Sequence, residues 1–162
     1  MKIEAVEVVK RFGAHRALDG LSMTVPSGAV YGLVGPNGAG KTTAIRHIAG
    51  ILRPDGGEVL ADGVPVFENV DAKARMAYIP DEVFYFPQAS VNDMMHFYRG
   101  VYPGFDSQRF ERLAEAFPID RKMPMRRFSR GMKKQAAFWL ALSLRPELLG
   151  VGEPGSKRGM KR

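Results

Sequence analysis

The clearest chemistry in the chain lies in one run, Gly35-Pro36-Asn37-Gly38-Ala39-Gly40-Lys41-Thr42. It reads Gly, four residues, then Gly-Lys-Thr. Its glycines let successive backbone N–H groups turn inward and line an anion nest. A helix starting at Lys41 adds its positive end to the same point. Lys41 can reach the β- and γ-phosphates, and the Thr42 hydroxyl can bind Mg2+ beside them. Thr43 closes the segment. An ordinary Gly-rich turn has no need of Lys-Thr at its end. The pattern therefore predicts binding of a nucleoside triphosphate. It leaves open ATP or GTP, and a kinase, an ATPase or a switch.

Such a loop needs a strand entering it and a helix leaving it. Ala29 to Val34 is a short apolar run, which predicts a buried parallel strand. Lys41 to Ala49 reads as the helix, with Ile45 and Ile48 on one side. Upstream, Ile3 to Val8 and Leu21 to Val25 alternate as half-buried strands. Downstream, Glu58–Ala61 and Val64–Val66 flank Asp62-Gly63, a hairpin signal. Met76–Ile79 is another short strand, stopped by Pro80.

Helices follow. Ser90 and Asp93 have capping-box spacing, and Val91, Met94, Met95 and Tyr98 recur at i, i+3, i+4, i+7. Phe110, Leu113, Ala114 and Phe117 repeat that spacing after Asp106-Ser107. Ser129 opens a third helix to about Leu144, apolar all round from Ala136 and so expected to be buried.

Composition sets the bounds. The chain has 162 residues, 45% apolar and 25% charged, with no Cys. That is ordinary for one globular domain and excludes disulfides, thiolate metal sites and cysteine nucleophiles. Met1 to Gly13 mixes charges throughout, so it has no signal-peptide core. No apolar run approaches the roughly 18 residues of a spanning helix. Residues 1–120 carry 12 basic and 15 acidic side chains, whereas 121–162 carry 12 basic and 2 acidic. A basic third fits a nucleic acid, an anionic membrane or a nucleotide, and equally a solvated helix face with a basic tail.

Phe128-Ser129-Arg130-Gly131-Met132-Lys133-Lys134-Gln135, at a predicted helix start, resembles the signature motif of ABC-type ATPases. With the phosphate loop and the spacing between them, residues 1 to 154 resemble the nucleotide-binding subunit of an ABC transporter. Tyr78-Ile79-Pro80-Asp81-Glu82 and the short linker to the signature are similar to the antibiotic- or drug-exporter type. The resemblance implies an α/β P-loop NTPase fold. Its parts are a RecA-like core, a small antiparallel β region and a helical insert around 90–145. The core is expected to be incomplete at its C-terminal end, with 155–162 a basic, disordered tail.

Site roles follow from the same resemblance. Gly35 to Thr43 binds the ATP phosphates, with Thr42 on Mg2+. Phe12, in Lys-Arg-Phe-Gly, matches the aromatic that stacks on adenine, against the plainer reading of a core Phe. Ser129 and Gly131 match signature residues that contact the γ-phosphate held by the other monomer. Arg130 and Met132 depart from the usual Gly and Gln. Asp81 stands where the family has the Q-loop glutamine, and Gln88 lies too late to replace it. Glu153 matches the general base that polarises the attacking water. Gly152 stands where an Asp normally helps hold Mg2+ through its water shell, and Gly150 is expected to interrupt the preceding strand.

Past Pro154 the resemblance stops. His15, His47 and His96 all precede the signature, so none is the family's switch histidine, and His47 reads as structural. The loss of pattern at Gly150 fits a frameshifted or fragmentary product. The implied function is ATP hydrolysis coupled to export. Its setting is a homo- or heterodimer of such subunits bound to permease subunits, cytoplasmic and peripheral on the inner membrane face, with no nucleic acid. Two alternatives stay open: a binding-only or inactive product, and a soluble nucleic-acid- or ribosome-associated ABC ATPase.

Overall fold

A computed structural model describes residues 1–152 of the chain in two compact units, 1–76 with the segment from Gly150, and 77–149. The first unit is built on an antiparallel sheet. Strand β1 (Ile3–Phe12) pairs with β2 (His15–Val25) on one edge and β3 (Gly56–Ala61) on the other, and β3 pairs with β4 (Val64–Pro65). Ile3, Ala5, Val8, Leu18, Val59 and Ala61 are buried, as alternation requires of a sheet with one covered face. The β3–β4 turn is Asp62-Gly63, both at positive φ (50° and 82°), which is the backbone a tight two-residue hairpin demands. The β1–β2 hairpin is longer than the alternation of its two ends predicts. It contains bulges, and at one of them Glu7 has φ 49°. There Ser22 Oγ accepts from the Glu7 N–H (3.0 Å) and donates to the Glu7 carboxylate (2.8 Å), holding the irregular backbone.

Helix α1 (Lys41–Ile48) starts at the phosphate loop and buries Ala44 and His47. Helix α2 (Val70–Ala74) is short and was not legible in the sequence; Asn69 caps it by accepting from the Ala72 N–H at 3.0 Å.

The second unit is helical around one aromatic core. Strand β5 (Met76–Ile79) leads to α3 (Val91–Val101), whose Ser90–Asp93 capping box forms as the spacing predicts. Helix α4 (Ser107–Arg112) is capped by Asp106 and runs into a tighter turn over Leu113–Glu115. Helix α5 (Arg130–Leu142) carries Trp139, which stacks on Phe110 with ring centres 4.5 Å apart. The indole N–H donates to the Phe110 carbonyl at 2.7 Å, so this large buried side chain leaves no polar atom unpaired. Val91, Met94, Met125 and Leu140 complete the cluster. Strand β6 (Leu148–Val151) pairs with β5.

Two expectations are corrected. Residues 29–34 form no strand, and Val30, Tyr31 and Val34 are exposed. A doubly buried strand needs hydrogen-bonded neighbours and cover on both faces, and no described segment pairs with this run. An apolar run signals the need for such partners without supplying them. Gly150, expected to interrupt a strand, lies inside β6. Its weak strand propensity is outweighed by pairing with β5. The expected tail at 155–162 lies outside the described residues.

Candidate functional site

The phosphate loop forms as a turn from Pro36 to Gly40 ahead of α1. Gly38 and Gly40 have φ of 88° and 81°, backbone open to glycine without strain. Gly40 also has a packing reason. A Cβ there would lie 2.3 Å from the Ala17 carbonyl oxygen of β2 and 3.0 Å from Leu18 Cδ2. Gly38 faces open space. Gly40 sits at the helix cap and contributes no side-chain acceptor to the amides of the first turn. Lys41 Nζ donates to the carbonyls of Gly35 (2.6 Å) and Pro36 (3.0 Å), folding the ammonium over the loop mouth. Gly35 to Ala39 are exposed, whereas Thr42 and Thr43 are half-buried. The result is a cationic, backbone-lined turn ahead of α1.

The residues present suit Mg2+ held between a hydroxyl and phosphate oxygens. Thr42 supplies the hydroxyl beside the nest. No group of three or more His, Cys, Asp or Glu side chains that could hold a metal occurs among the described residues. An ion taken here would draw most of its ligands from the nucleotide and water, the usual arrangement for Mg2+.

Phe12 ends β1 and is 50% exposed, so the core-Phe reading falls. Lys10 Nζ lies 5.8 Å from its centroid. Lys10 also donates to the Arg53 carbonyl (2.8 Å) and the Asp55 carboxylate (2.9 Å), and Asp55 accepts from the Arg11 N–H at 2.7 Å. The Lys10 hydrogen bond first, then the Arg11 amide, holds the Asp55 carboxyl below its ordinary range. This clamp beside Phe12 was not legible in the sequence. The i, i+2 spacing of Lys10 and Phe12 puts both on one strand face, but the distant partner Asp55 leaves no local signal.

His47 is buried, with Nδ1 2.7 Å from the Thr43 carbonyl oxygen, as a structural side chain should be.

In the second unit, Ser129 caps α5, its Oγ accepting from the Met132 N–H at 3.2 Å. Ser129, Arg130 and Gly131 are exposed. A Cβ on Gly131 would meet only Ser129 Oγ, at 3.8 Å, so no internal packing demands glycine there. Asp81 is half-buried in the loop after β5, with Oδ1 shielded and without a hydrogen-bond partner among the described residues. Lys134 Nζ donates to the neighbouring Pro80 carbonyl at 2.8 Å, tying α5 to that loop. Gln88 is exposed loop. Glu153 lies outside the described residues, and Gly152, at their end, has no side chain to offer a metal.

Among the described residues, no helix is long and apolar enough to cross a membrane. The chain is 31% identical over 152 residues to the ABC transporter ATP-binding protein YtrB of Bacillus subtilis, covering 94% of this chain and 52% of that protein. It is 33% identical to the daunorubicin/doxorubicin resistance ATP-binding protein DrrA of Streptomyces peucetius, covering 94% and 48%. A spermidine/putrescine import ATP-binding protein, PotA of Nitrosomonas eutropha, is also 33% identical, covering 94% and 43%. The chain thus spans about half the length of the curated relatives it matches. Its fold superposes on a solved ATP-binding subunit of an ABC transporter with a TM-score of 0.81 and 25% identity, covering 95% of this chain and 67% of that one. A nucleotide-free ATP-binding cassette gives 0.79 at 22% identity, covering 97% and 71%. The family model described as "ABC transporter" matches residues 18–156, and the chain belongs to that family.

Proposed function

We propose that the chain binds ATP through Gly35–Thr43 and serves as the ATP-hydrolysing subunit of an ABC-type exporter, working in a dimer of such subunits on separate permease subunits. One observation carries the reading: a glycine-shaped loop with no side-chain cap on the helix-start amides and the Lys41 ammonium folded over its mouth. An incoming triphosphate replaces the two loop carbonyls as the partner of Lys41 Nζ. This exchanges neutral acceptors for charged ones, and charge-assisted bonds are roughly twice as strong. The Phe12 face takes the adenine, a flat π system suited to an aromatic ring. The exposed Ser129 hydroxyl and Gly131 amide are the groups offered to the phosphate of a second subunit. The Thr42 hydroxyl would hold Mg2+, and the ion would supply charge neutralisation at the phosphates. Glu153 is assigned as the base that orients water.

Export is supported by the drug-resistance relatives, although an import protein is as similar by identity. Localisation on the inner membrane face follows from the proposed permease partners.

A second reading, binding with little or no turnover, is favoured by Gly152. Without a carboxylate at that position, the water shell of Mg2+ loses a support, and phosphoryl transfer depends on positioning and charge. Two measurements test these readings. Displacement of a fluorescent ATP analogue should show binding by the wild-type chain and a loss of roughly a hundred-fold in Lys41→Ala, from two charged hydrogen bonds. Unchanged affinity in that variant refutes the site. Phosphate release that depends on Lys41 supports the hydrolytic reading, and binding without release supports the second.

A further inference from the structure

Two parts of the first unit have to act together on one nucleotide: Phe12 at the end of β1, and the loop Gly35–Thr43 ahead of α1. The segment between α1 and β3 touches both. Near α1, the Ile51 and Leu52 amides donate to the Arg46 carbonyl at 2.8 and 3.2 Å. A few residues on, the Asp55 amide donates to the Val9 carbonyl of β1 at 2.9 Å. The β1–β3 ladder ends there, at the pair Val9 and Gly56. Beyond it the Asp55 side chain takes over. Its Oδ2 accepts from the Arg11 N–H at 2.7 Å, and its Oδ1 accepts from Lys10 Nζ at 2.9 Å. Lys10 Nζ also donates to the Arg53 carbonyl at 2.8 Å and lies 5.8 Å from the Phe12 ring centre. The Lys10 side chain is only 14% exposed, so its ammonium relies on these acceptors more than on water. Without the Asp55 carboxylate, the cation gains by swinging out to solvent and away from the ring. Phe12 is half-exposed and stands one residue before the turn at Gly13 (φ 59°), so its own packing fixes the ring only in part. A cation over the ring restricts it further.

We infer that Lys10 and Asp55 are positioning residues for the base, together holding the Phe12 ring at a fixed reach from the phosphate loop. The inference rests on the proposed stacking of adenine on Phe12. A nucleotide is gripped at both ends only where the spacing of the two grips matches its own length. The phosphates meet their loop wherever the ring lies, so the clamp governs the share of affinity that comes from the base. A ring already held in place loses less freedom when the base arrives, and that saving appears as affinity. Strand β1 supplies its own comparison. At its opposite end Asp62 makes a similar tie, with Oδ1 accepting from the Lys2 N–H at 2.7 Å. That carboxylate secures the same strand without touching Phe12.

Calorimetric titration of the full chain with ATP and with inorganic tripolyphosphate, each with Mg2+, tests this. Asp55→Ala should weaken ATP binding about three- to ten-fold, the share a stacked ring supplies, and leave tripolyphosphate within about two-fold. Asp55→Asn keeps an acceptor for the Arg11 N–H but loses the charge that holds Lys10, so it should fall between. Lys10→Met should fall between as well. In a Phe12→Ala background, Asp55→Ala should cost nothing further, because the clamp acts through the ring. Asp62→Asn should lower the urea midpoint and bind both ligands as wild type. Unchanged ATP affinity in Asp55→Ala, where Phe12→Ala does weaken ATP, overturns this inference and leaves the nucleotide site standing. Equal losses for ATP and tripolyphosphate overturn it too. So does a loss that persists in the Phe12→Ala background, or the same loss in Asp62→Asn, since each marks a general loosening of the sheet. Should Asp55→Ala fail to fold, Asp55→Asn carries the same comparisons. A wild-type chain that binds no ATP, or a Phe12→Ala chain that binds it as wild type, fails at the proposed function and takes this inference with it.

Discussion

Replacing Gly40 and Gly38 by alanine, one at a time, separates two demands on the phosphate loop. Both glycines have φ near +80°, so each alanine incurs the left-handed backbone penalty of about 1–2 kcal/mol. They differ in surroundings. At Gly38 the new methyl enters open space, and at Gly40 it falls 2.3 Å from the Ala17 oxygen. Ordinary carbon–oxygen contact is longer by about 1 Å, and Ala17 belongs to a strand laddered to β1, so the loop must yield rather than the sheet. A shift of that size breaks the alignment of the helix-start amides with a phosphate. Gly38→Ala should lose about 1–2 kcal/mol in urea unfolding and bind ATP within a few-fold of wild type. Gly40→Ala should lose about 3 kcal/mol or more, with ATP affinity down at least about a hundred-fold, since misalignment forfeits several charge-assisted bonds. Denaturation midpoints and competition binding read both quantities. Indistinguishable behaviour of the two variants refutes the argument, because only the close approach to β2 separates them.

Other outcomes follow from the same geometry. Phe12→Ala should weaken ATP binding about three- to ten-fold while Phe12→Tyr keeps it, and neither should change affinity for inorganic tripolyphosphate, as competition assays can show. Trp139→Phe removes the donor to the Phe110 carbonyl within the buried cluster, which should cost about 2–4 kcal/mol in chemical unfolding. Asp93 is held below the ordinary aspartate value of 3.8 by the Ser90 hydroxyl and then the Ser90 amide. A lowered folded-state pKa gives stability that is present above the unfolded value and lost as pH falls through the folded one. Melting temperature should therefore drop as pH falls below about 3.8, and Ser90→Ala should flatten part of that drop.

Local signals were legible because their causes are local. The Asp62-Gly63 hairpin, the Ser90–Asp93 cap and the Gly-Lys-Thr loop each depend on the conformations of a few neighbouring residues. The buried half of α5 was legible because Ala136 to Leu144 has no polar face to expose. Residues 29–34 misled because an apolar run records a need for partners and not their presence. The short α2 was hidden because five residues make little periodicity; its Asn69 cap was the available clue. The Lys10–Asp55 clamp on Phe12 joins residues far apart in the chain, which no local pattern reveals. At the start of α5 the cap was legible in Ser129.

Amide hydrogen exchange, followed by mass spectrometry with and without ATP and Mg2+, tests the central claim most directly. The account predicts slowed exchange in peptides covering residues 35–43 and around Phe12, abolished by Lys41→Ala. Protection elsewhere, with 35–43 exchanging as in the free chain, would contradict it.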